Sequence, residues 1–359
     1  MKQVPLSEVA EFINGRAFKP EDWQTEGLPI IRIQNLTGST DTVNYYSGEV
    51  EPRYLVRNDD ILISWSASLG VYKWQGGDAI LNQHIFKVEL KEKLIDKEYF
   101  YYAAQNALVE MQSHVHGATM QHITRDPFLA IEIPLPPLTE QKRIASLLAR
   151  ADRLRQLRQT AHDLGDALLQ SVFLEMFGDI AVNPKGWDIA TLEDLETDFI
   201  YGTSQKCFSE PKGLPVLRIP NILHGSIDLE DLKYAEVPEK EAKNILLKHG
   251  DIIFVRTNGN PDYVGRCAVF NLDKDLLFAS YLIRARVDLS KINPVFLLNF
   301  LQTAKGREAM APYIRTTAGQ SNIGIEGLGQ IPVPVPPLSL QEEFAGVVAR
   351  VESLRGRMG

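Results

Sequence analysis

The sequence lacks the features that would mark a membrane-spanning, secreted or metal-binding protein. No apolar run approaches the ~20 residues that a transmembrane helix needs. Residues 1–11 hold no basic segment followed by an apolar stretch, so a secretory signal is not expected. The two cysteines, Cys207 and Cys267, match neither a zinc site nor a disulfide framework. These absences predict a protein of the reducing cytoplasm with no membrane partner.

An excess of basic charge is also missing. The chain has 38 Lys and Arg residues against 46 Asp and Glu residues, which gives a formal net charge of −8. This balance argues against a protein that coats nucleic acid without sequence preference, but it permits a sequence reader with local basic loops. With 359 residues, the chain is long enough for two or three domains of roughly 100–200 residues each.

The chain contains an internal duplication. Residues 27–36 and 213–222 are identical at six of ten positions, and a Val/Ile-Pro-x-Pro-Pro-Leu segment occurs at both 133–138 and 333–338. The offset between the copies grows from 186 to 200, so the second copy carries additional loop residues. The matched positions are mostly apolar, Gly, Pro or Asp, which are residue types of a scaffold, whereas the intervening segments differ almost completely.

Each copy has the same order of predicted elements. Short apolar runs rich in β-branched residues predict strands. A helix follows near 96–111 and again near 293–309, with Asp96 and Asn293 as the expected N-caps. A proline-rich segment, 134–137 or 332–337, ends each copy because proline continues neither a helix nor a central strand. The predicted strands are 30–33, 61–63 and 80–88 in the first copy, and 216–219, 252–255 and 282–287 in the second.

A long helix is predicted after each proline-rich segment. Thr139 is the expected cap of the first helix, which should end at Gly178, and Ser339 with Glu342 forms a capping box for the second, shorter helix. Apolar residues at the 3–4 spacing of a coiled coil predict that the helices pair, antiparallel if a pseudo-two-fold axis relates the copies. The short helix is expected to clamp the two heads, each of which should stay folded without it. The predicted seam is Ile144, Leu147, Leu154, Leu157, Leu164, Leu168, Phe344, Val347, Val351 and Leu354.

These features resemble the specificity (S) subunit of type I restriction–modification systems. The resemblance is carried by residues 27–36 and 213–222, by Asp60 and Asp251 at two strand starts, and by the segment Ile133–Gln141. It covers nearly the whole chain. It implies an α+β fold with two tandem, pseudo-symmetric target-recognition domains joined by two long antiparallel coiled-coil helices. The expected segments are recognition domain 1 (1–137), a central conserved spacer helix (138–178), recognition domain 2 (179–337) and a short C-terminal conserved helix (338–359).

The resemblance also implies a non-catalytic role in a larger complex. Each recognition domain is expected to read one half of a bipartite, asymmetric site in double-stranded DNA. The helices are expected to dock methylation subunits, two in number, and restriction subunits would join through that methylation core. S-adenosylmethionine, ATP and Mg are expected on these partner subunits, and no cofactor or metal is expected on this chain.

The duplication supports this interpretation independently of the resemblance, because a shared scaffold with divergent loops is what a reader of two different half-sites needs. Base edges and phosphates are bound mainly by Arg, Lys, Asn, Gln, Ser and Thr, and His can donate in the same way. Such residues lie at corresponding places in the loops of both copies. The candidate DNA-binding residues are Arg16, Lys19, Ser64, Ser66, Asn82, Gln83, His84, His116, Gln121, His122, Lys206, Arg256, Asn258, Asn260, Arg315, Gln320 and Asn322.

Two other functions are consistent with parts of the sequence. A DNA adenine methyltransferase would use an Asn/Asp-Pro-x-aromatic motif around the flipped base, and 260–263 and 293–296 match it formally. Neither follows a glycine-rich strand–turn–helix for a nucleotide cofactor, and Asn293 reads as a helix cap. The second alternative is a coiled-coil scaffold with two protein-binding heads. A metal at His114, His116 and His122 is not expected, because no Cys or carboxylate joins them.

Overall fold

The computed structural model describes residues 2–39, 42–65, 68–114, 125–180, 182–317 and 319–357. The chain forms two compact units, Met1–Leu157 and Arg158–Gly359, which meet within one long helix. Each unit holds one copy of the repeat and its own hydrophobic core. The division into four segments that the sequence suggests stays a prediction.

The first unit combines two four-stranded sheets with helices. One sheet is antiparallel, in the order β2-β9-β6-β7, and the other has the order β4-β3-β8-β5 with a parallel β3–β8 pair. The strands are β1 (Gln3–Pro5), β2 (Ala10–Asn14), β3 (Leu28–Ile31), β4 (Asn44–Tyr46), β5 (Leu55–Val56), β6 (Ile61–Ser64), β7 (Gly70–Lys73), β8 (Ala79–Leu81), β9 (Ile85–Leu90) and β10 (Glu132–Pro134). The helices are α1 (Leu6–Val9), α2 (Ile33–Thr37), α3 (Lys97–His114), α4 (Arg125–Leu129) and the first part of α5 (Leu138–Phe177).

The second unit repeats this arrangement and adds a three-stranded ribbon. Its main sheet has the order β12-β19-β15-β17, a second sheet has the order β14-β13-β18, and the ribbon has the order β16-β21-β20. The strands are β11 (Asp188–Thr191), β12 (Asp198–Tyr201), β13 (Leu214–Leu217), β14 (Lys233–Ala235), β15 (Ile252–Val255), β16 (Thr257–Asn258), β17 (Cys267–Val269), β18 (Leu277–Phe278), β19 (Leu282–Arg286), β20 (Arg315–Thr317), β21 (Gln320–Asn322) and β22 (Pro332–Val335). The helices are the remainder of α5, then α6 (Glu239–Ile245), α7 (Pro294–Gln302), α8 (Ala304–Met310), α9 (Ile325–Gly329) and α10 (Leu338–Gly356).

The predicted α+β elements are confirmed, with three local differences. The strands predicted over 30–33 and 216–219 instead span Leu28–Ile31 and Leu214–Leu217, and Ile33 and Ile219 begin helical turns. The run 80–88 forms two strands, β8 and β9, because His84 turns the chain with a φ of 72° between them. The helix predicted over 293–309 is interrupted at Thr303, whose hydroxyl accepts from the N–H of Gly306 and so caps α8. The proline-rich segments are edge strands, β10 paired with β1 and β22 paired with β11, where the missing N–H of proline is tolerated.

The predicted caps of the middle helices are confirmed, but those of the long helices are wrong. Asp96 accepts from the N–H groups of Glu98 and Tyr99, and Asn293 accepts from Val295 and Phe296. The long helices instead begin one residue before Thr139 and Ser339, directly after a proline. The preceding proline carbonyl already accepts the first helical hydrogen bonds, and Pro337 at the start of α10 makes no side-chain cap.

Helices α5 and α10 run antiparallel within the second unit, as predicted. Phe344, near the start of α10, contacts Phe173 and Phe177, near the end of α5, at ring-centroid distances of 5.4 and 5.5 Å. Arg355, near the end of α10, donates to Asp166 and to the carbonyl of His162. α5 ends at Phe177, and Gly178 follows with a φ of 79°, as predicted from its position.

The predicted seam is only partly buried. Leu354 was expected to be buried against α5 but is 58% exposed, whereas Leu164 and Leu168, which the short α10 was expected to leave partly uncovered, are exposed by 65% and 51%. The buried residues on this part of α5 are instead Leu169, Phe173 and Phe177. Phe344 and Val351 are buried as predicted, Val347 is half-buried, and Ile144 packs half-buried against the first core. Leu147, Leu154 and Leu157 are exposed in the first unit.

Among the residues that the structure describes, no helix combines the length and apolar character needed to cross a membrane.

Candidate DNA interface

In the first unit, three candidate residues meet where β2 ends and β8 turns into β9. The N–H of Arg16 donates to the carbonyl of Leu81 at 2.9 Å, and the N–H of Gln83 donates to the carbonyl of Arg16 at 2.8 Å. Gly15 makes this approach possible, because a Cβ there would collide with the backbone of Asn82. Arg16 therefore shares one edge of the unit with Asn82 and Gln83, although Asn82 follows it by 66 residues in sequence.

Aromatic rings hold the Arg16 side chain in place. Its guanidinium lies 5.0 Å from the ring centroid of Phe18 and 4.7 Å from that of Tyr46. These two rings also contact each other edge to face. Cation–π contacts of this kind fix the guanidinium without consuming its N–H donors.

The other described candidates of the first unit differ in accessibility. His84 is exposed at its turn, with its ring 5.1 Å from that of Trp65. Lys19 is exposed, and its ammonium nitrogen lies 3.7 Å from a carboxylate oxygen of Glu21. Ser64 is fully buried and donates to the carbonyl of Ser68, so this candidate is closed to DNA and the prediction for it is wrong. Four further candidates lie outside the described residues: Ser66, His116, Gln121 and His122.

In the second unit, the corresponding strand ends gather around Arg256. Its N–H donates to the carbonyl of Tyr281 at 3.0 Å, and its carbonyl accepts from Ile323 at 2.9 Å. The N–H of Ser280 donates to the carbonyl of Thr203 at 2.8 Å, which joins the loop that carries Lys206 to the same edge. Lys206 is exposed, with its ammonium 5.5 Å from the ring centroid of Phe208.

The three-stranded ribbon brings most of the remaining candidates together. Arg315 pairs with Asn322, and Asn258 pairs with Ser321. The hydroxyl of Thr257 donates to the side-chain oxygen of Gln320 at 3.4 Å. Arg315 and Gln320 are exposed, while Asn258 and Asn322 are half-buried. The ribbon thus presents two exposed candidates beside Arg256.

Asn260 and Asn293, which suggested a methyltransferase motif, are both helix caps. The side chain of Asn260 accepts from the N–H of Asp262 at 3.0 Å and begins a single 3-10 turn at Pro261. That of Asn293 accepts from Val295 at 2.9 Å. Asn-Pro at a helix start explains both matches. Asn260 is exposed, and its role as a DNA-binding candidate stays a prediction.

The two units place different side chains on equivalent backbone. Trp65 follows β6, and its backbone N–H donates to the carbonyl of His84. In the same way Arg256 follows β15, and its backbone N–H donates to the carbonyl of Tyr281. Likewise Arg16 and Thr203 each follow a glycine whose backbone lies close to the end of β8 or β18. The same backbone position thus carries an indole that stacks on Phe86 in the first unit and a guanidinium that lies over Tyr201 in the second.

Sequence reasoning missed the aromatic residues that support these cations. Tyr201 lies under Arg256, with its ring centroid 4.8 Å from the guanidinium, and Tyr263 lies 3.5 Å from that of Arg266. The one usable signal was the cation-x-Phe spacing of Arg16 with Phe18 and of Lys206 with Phe208. Tyr201 and Tyr46 reach their cations only through long-range pairing, which the sequence does not reveal.

Two arginines of the second unit lie close enough to His224 to affect its titration. Burial, together with the charges of Arg266 and Arg307, lowers the pKa of His224 from its ordinary value. Over the described ranges, no group of three or more His, Cys, Asp or Glu residues is arranged to hold a metal ion. What these edges offer is a set of cationic and amide donors, which suits recognition of a polyanion by hydrogen bonding.

Comparison with known proteins places this arrangement in context. The family described as "Type I restriction modification DNA specificity domain" matches residues 1–162 and 184–354. The chain is 29% identical to the type I restriction enzyme EcoKI specificity subunit of Escherichia coli strain K12, over 98% of this chain and 81% of that protein. It is 26% identical to the EcoBI specificity subunit of Escherichia coli, over 98% and 78%. The crystal structure of the type I restriction–modification S subunit from M. genitalium superposes with a TM-score of 0.65 at 16% identity, over 99% of this chain and 90% of that one.

Proposed function

Because this chain belongs to the family of type I restriction–modification DNA specificity proteins, we propose that each of its two units reads one half of a bipartite, asymmetric DNA site. The chain is a sequence-recognition subunit and is itself non-catalytic. The observation that carries the proposal is the difference between Trp65 and Arg256 on equivalent backbone. Shared backbone gives both units the same approach to a duplex, and different side chains give each a different preferred sequence.

Modular readout is tested by exchanging the loops of one unit. Replacing residues 14–125 by the corresponding region of a relative should change one half of the methylated motif and leave the other half intact. The motif is measured by single-molecule sequencing of adenine methylation in cells that also express the partner methylation subunit. Exchanging the loops of the second unit is the matched control and should change the other half. A change in both halves after one exchange would contradict the two-reader proposal.

Helix α5 supplies the surface that we propose for docking. Leu147, Leu154 and Leu157 lie in the first unit, and each exposes more than half of its area at the 3–4 spacing of a coiled coil. Large apolar side chains in such a row indicate a protein partner. We propose that methylation subunits bind here and that two are present in the complex.

The docking surface is tested by placing charge on it. Leu154→Asp combined with Leu157→Asp should abolish co-purification with the methylation subunit and reduce methylation to background, because two carboxylates would be buried without partners. The fold should survive, since both side chains are exposed. Gln156→Asp, an exposed substitution on the same turn but outside the leucine row, should retain binding. Full methylation by the double variant would show that the partner binds elsewhere.

The remaining chemistry is assigned to the partners. We propose that S-adenosylmethionine is bound by the methylation subunits, that ATP and Mg are used by subunits other than this chain, and that restriction subunits join through the methylation core. The assembled complex would act on DNA in the cytoplasm.

A further inference from the structure

Arg256 is held at both its backbone and its side chain. Its N–H and carbonyl are both hydrogen-bonded, to Tyr281 and Ile323. Its guanidinium lies over the ring of Tyr201, and Nη1 donates to the carbonyl of Ser280 at 3.5 Å. The residue is half-buried. An arginine fixed in this way has lost most of its rotamer freedom before any ligand arrives, which lowers the entropic cost of binding.

Most donors of this guanidinium remain free. A guanidinium has five N–H groups, and among the described residues only the Ser280 carbonyl accepts from it. No carboxylate in the described ranges pairs with Arg256. In contrast, Arg218 and Arg286 of the same unit each form an ion pair with an aspartate. Arg256 is thus a positioned cation with unused donors rather than a structural ion-pair partner.

The geometry of the free donors fits one class of ligand. A planar guanidinium with two parallel N–H groups matches the O6 and N7 acceptors of guanine in the major groove. A phosphate contact requires mainly charge and reach, which an exposed, flexible side chain such as Arg315 supplies. The Arg256 guanidinium, which is half-buried and held against the ring of Tyr201, is better suited to a base edge, because a base edge has a fixed orientation.

We propose that Arg256 reads a guanine in the half-site bound by the second unit and that Tyr201 is its positioning residue. This inference rests on the proposed DNA-reading function. Because Trp65 occupies the equivalent backbone position in the first unit, the same contact is absent there, and the guanine is specific to one half-site.

The test compares charge-removing and charge-retaining variants in the complete complex. Wild type, Arg256→Ala and Arg256→Lys are assembled with the methylation subunit, and their binding is measured on the methylated motif and on duplexes substituted one base pair at a time. Wild type should discriminate against a replaced guanine by roughly 5- to 150-fold. Both variants should lose most of that discrimination at a single base pair, since lysine keeps the charge but lacks the planar fork.

Matched variants separate base reading from positioning and from simple charge. Tyr201→Ala should weaken discrimination at the same base pair, and Tyr201→Phe, which retains the ring, should restore it. Arg16→Ala should leave the second half-site unchanged. Thermal unfolding should change little in all variants, because none of these side chains is fully buried. Tyr201→Phe loses the hydrogen bond that the Tyr201 hydroxyl accepts from the N–H of Ile325, as Tyr201→Ala does, so comparing the two separates the ring from the hydroxyl.

Two results would overturn the inference. If Arg256→Lys behaves as wild type while Arg256→Ala weakens binding to every sequence alike and lowers the salt slope by about one, Arg256 grips a phosphate. If Arg256→Ala keeps the full motif, the residue reads nothing. Failure of the proposed function is distinguishable, because the wild-type complex would then show no sequence preference at all.

Discussion

Replacing Phe344 by alanine is expected to lower the free energy of unfolding of the second unit by about 3–5 kcal/mol. Phe344 is fully buried and contacts Phe173 and Phe177, which also pack against Phe296. These residues belong to the main core of this unit. Removing the ring forfeits its burial and leaves a cavity that the three remaining phenylalanine rings cannot readily fill. Urea denaturation of the full chain, followed by circular dichroism, measures the change.

Leu354→Ala is the matched control for this prediction. It lies on the same helix and was predicted from the sequence to be part of the same seam, but 58% of it is exposed. We expect it to change the free energy of unfolding by about 0.5 kcal/mol or less. Equal losses for the two variants would mean that the leucine seam, rather than the aromatic cluster, joins α10 to α5.

The burial of Phe344 corrects an expectation about the short helix. The sequence suggested a separate clamp that could be removed while both heads stayed folded. Since the first turns of α10 complete the core of the second unit, deletion of residues 338–359 should instead destabilise that unit. The first unit has its own core and should remain folded.

The difference between the predicted and the observed buried residues of the long helices has a physical origin. Leucines at 3–4 spacing identify an apolar stripe, but the same spacing serves a partner helix of this chain and a partner from another chain equally well. On α5, Leu147, Leu154, Leu157, Leu164 and Leu168 form the exposed stripe, whereas Leu169, Phe173 and Phe177 face the core. The two sets of residues lie only one position apart in sequence, as Leu168 and Leu169 show. Only the tertiary contacts decide which set is buried.

The candidate site was predictable to the extent that it depends on strand ends. Arg16, Asn82 and Arg256 could be selected as candidates because the duplicated scaffold fixes where loops emerge, and their role in DNA binding stays a prediction. Ser64 was wrongly included because a hydroxyl directly after apolar residues can belong to the strand and be buried with it. Tyr201 was missed because its contact with Arg256 crosses 55 residues of sequence.

A buried glutamine follows each proline-rich segment and fixes the start of the long helix. Gln141 and Gln341 are fully buried at equivalent positions after these segments. The side-chain oxygen of Gln341 accepts from the N–H of Asn293 at 2.8 Å, and its amide donates to the carbonyl of Pro336 at 2.7 Å. Gln141 makes the same bonds to Asp96 and Pro136. Each glutamine thus ties the start of a long helix, α5 or α10, to the cap of an earlier helix of the same unit, α3 or α7.

Gln341→Ala should lower the free energy of unfolding of the second unit by about 3 kcal/mol. The substitution leaves a part-buried N–H at Asn293 and a buried carbonyl at Pro336 without their partner, and each buried unsatisfied group costs about 1–3 kcal/mol. Gln141→Ala should have a similar effect on the first unit. Urea denaturation measures the loss of stability in both variants. Hydrogen exchange of the backbone amides in the sheets of each unit then shows which unit has been destabilised.

Gln330→Ala provides the control with the same residue type and the same substitution. Gln330 is exposed, and its side-chain amide donates to the carboxylate of Glu193 at 2.7 Å. Its loss should cost less than about 1 kcal/mol, because water replaces the lost partner on both sides. If Gln341→Ala is no more destabilising than Gln330→Ala, the buried amide does not hold the helix start, and the packing of Phe344 alone must fix the direction in which α10 leaves the unit.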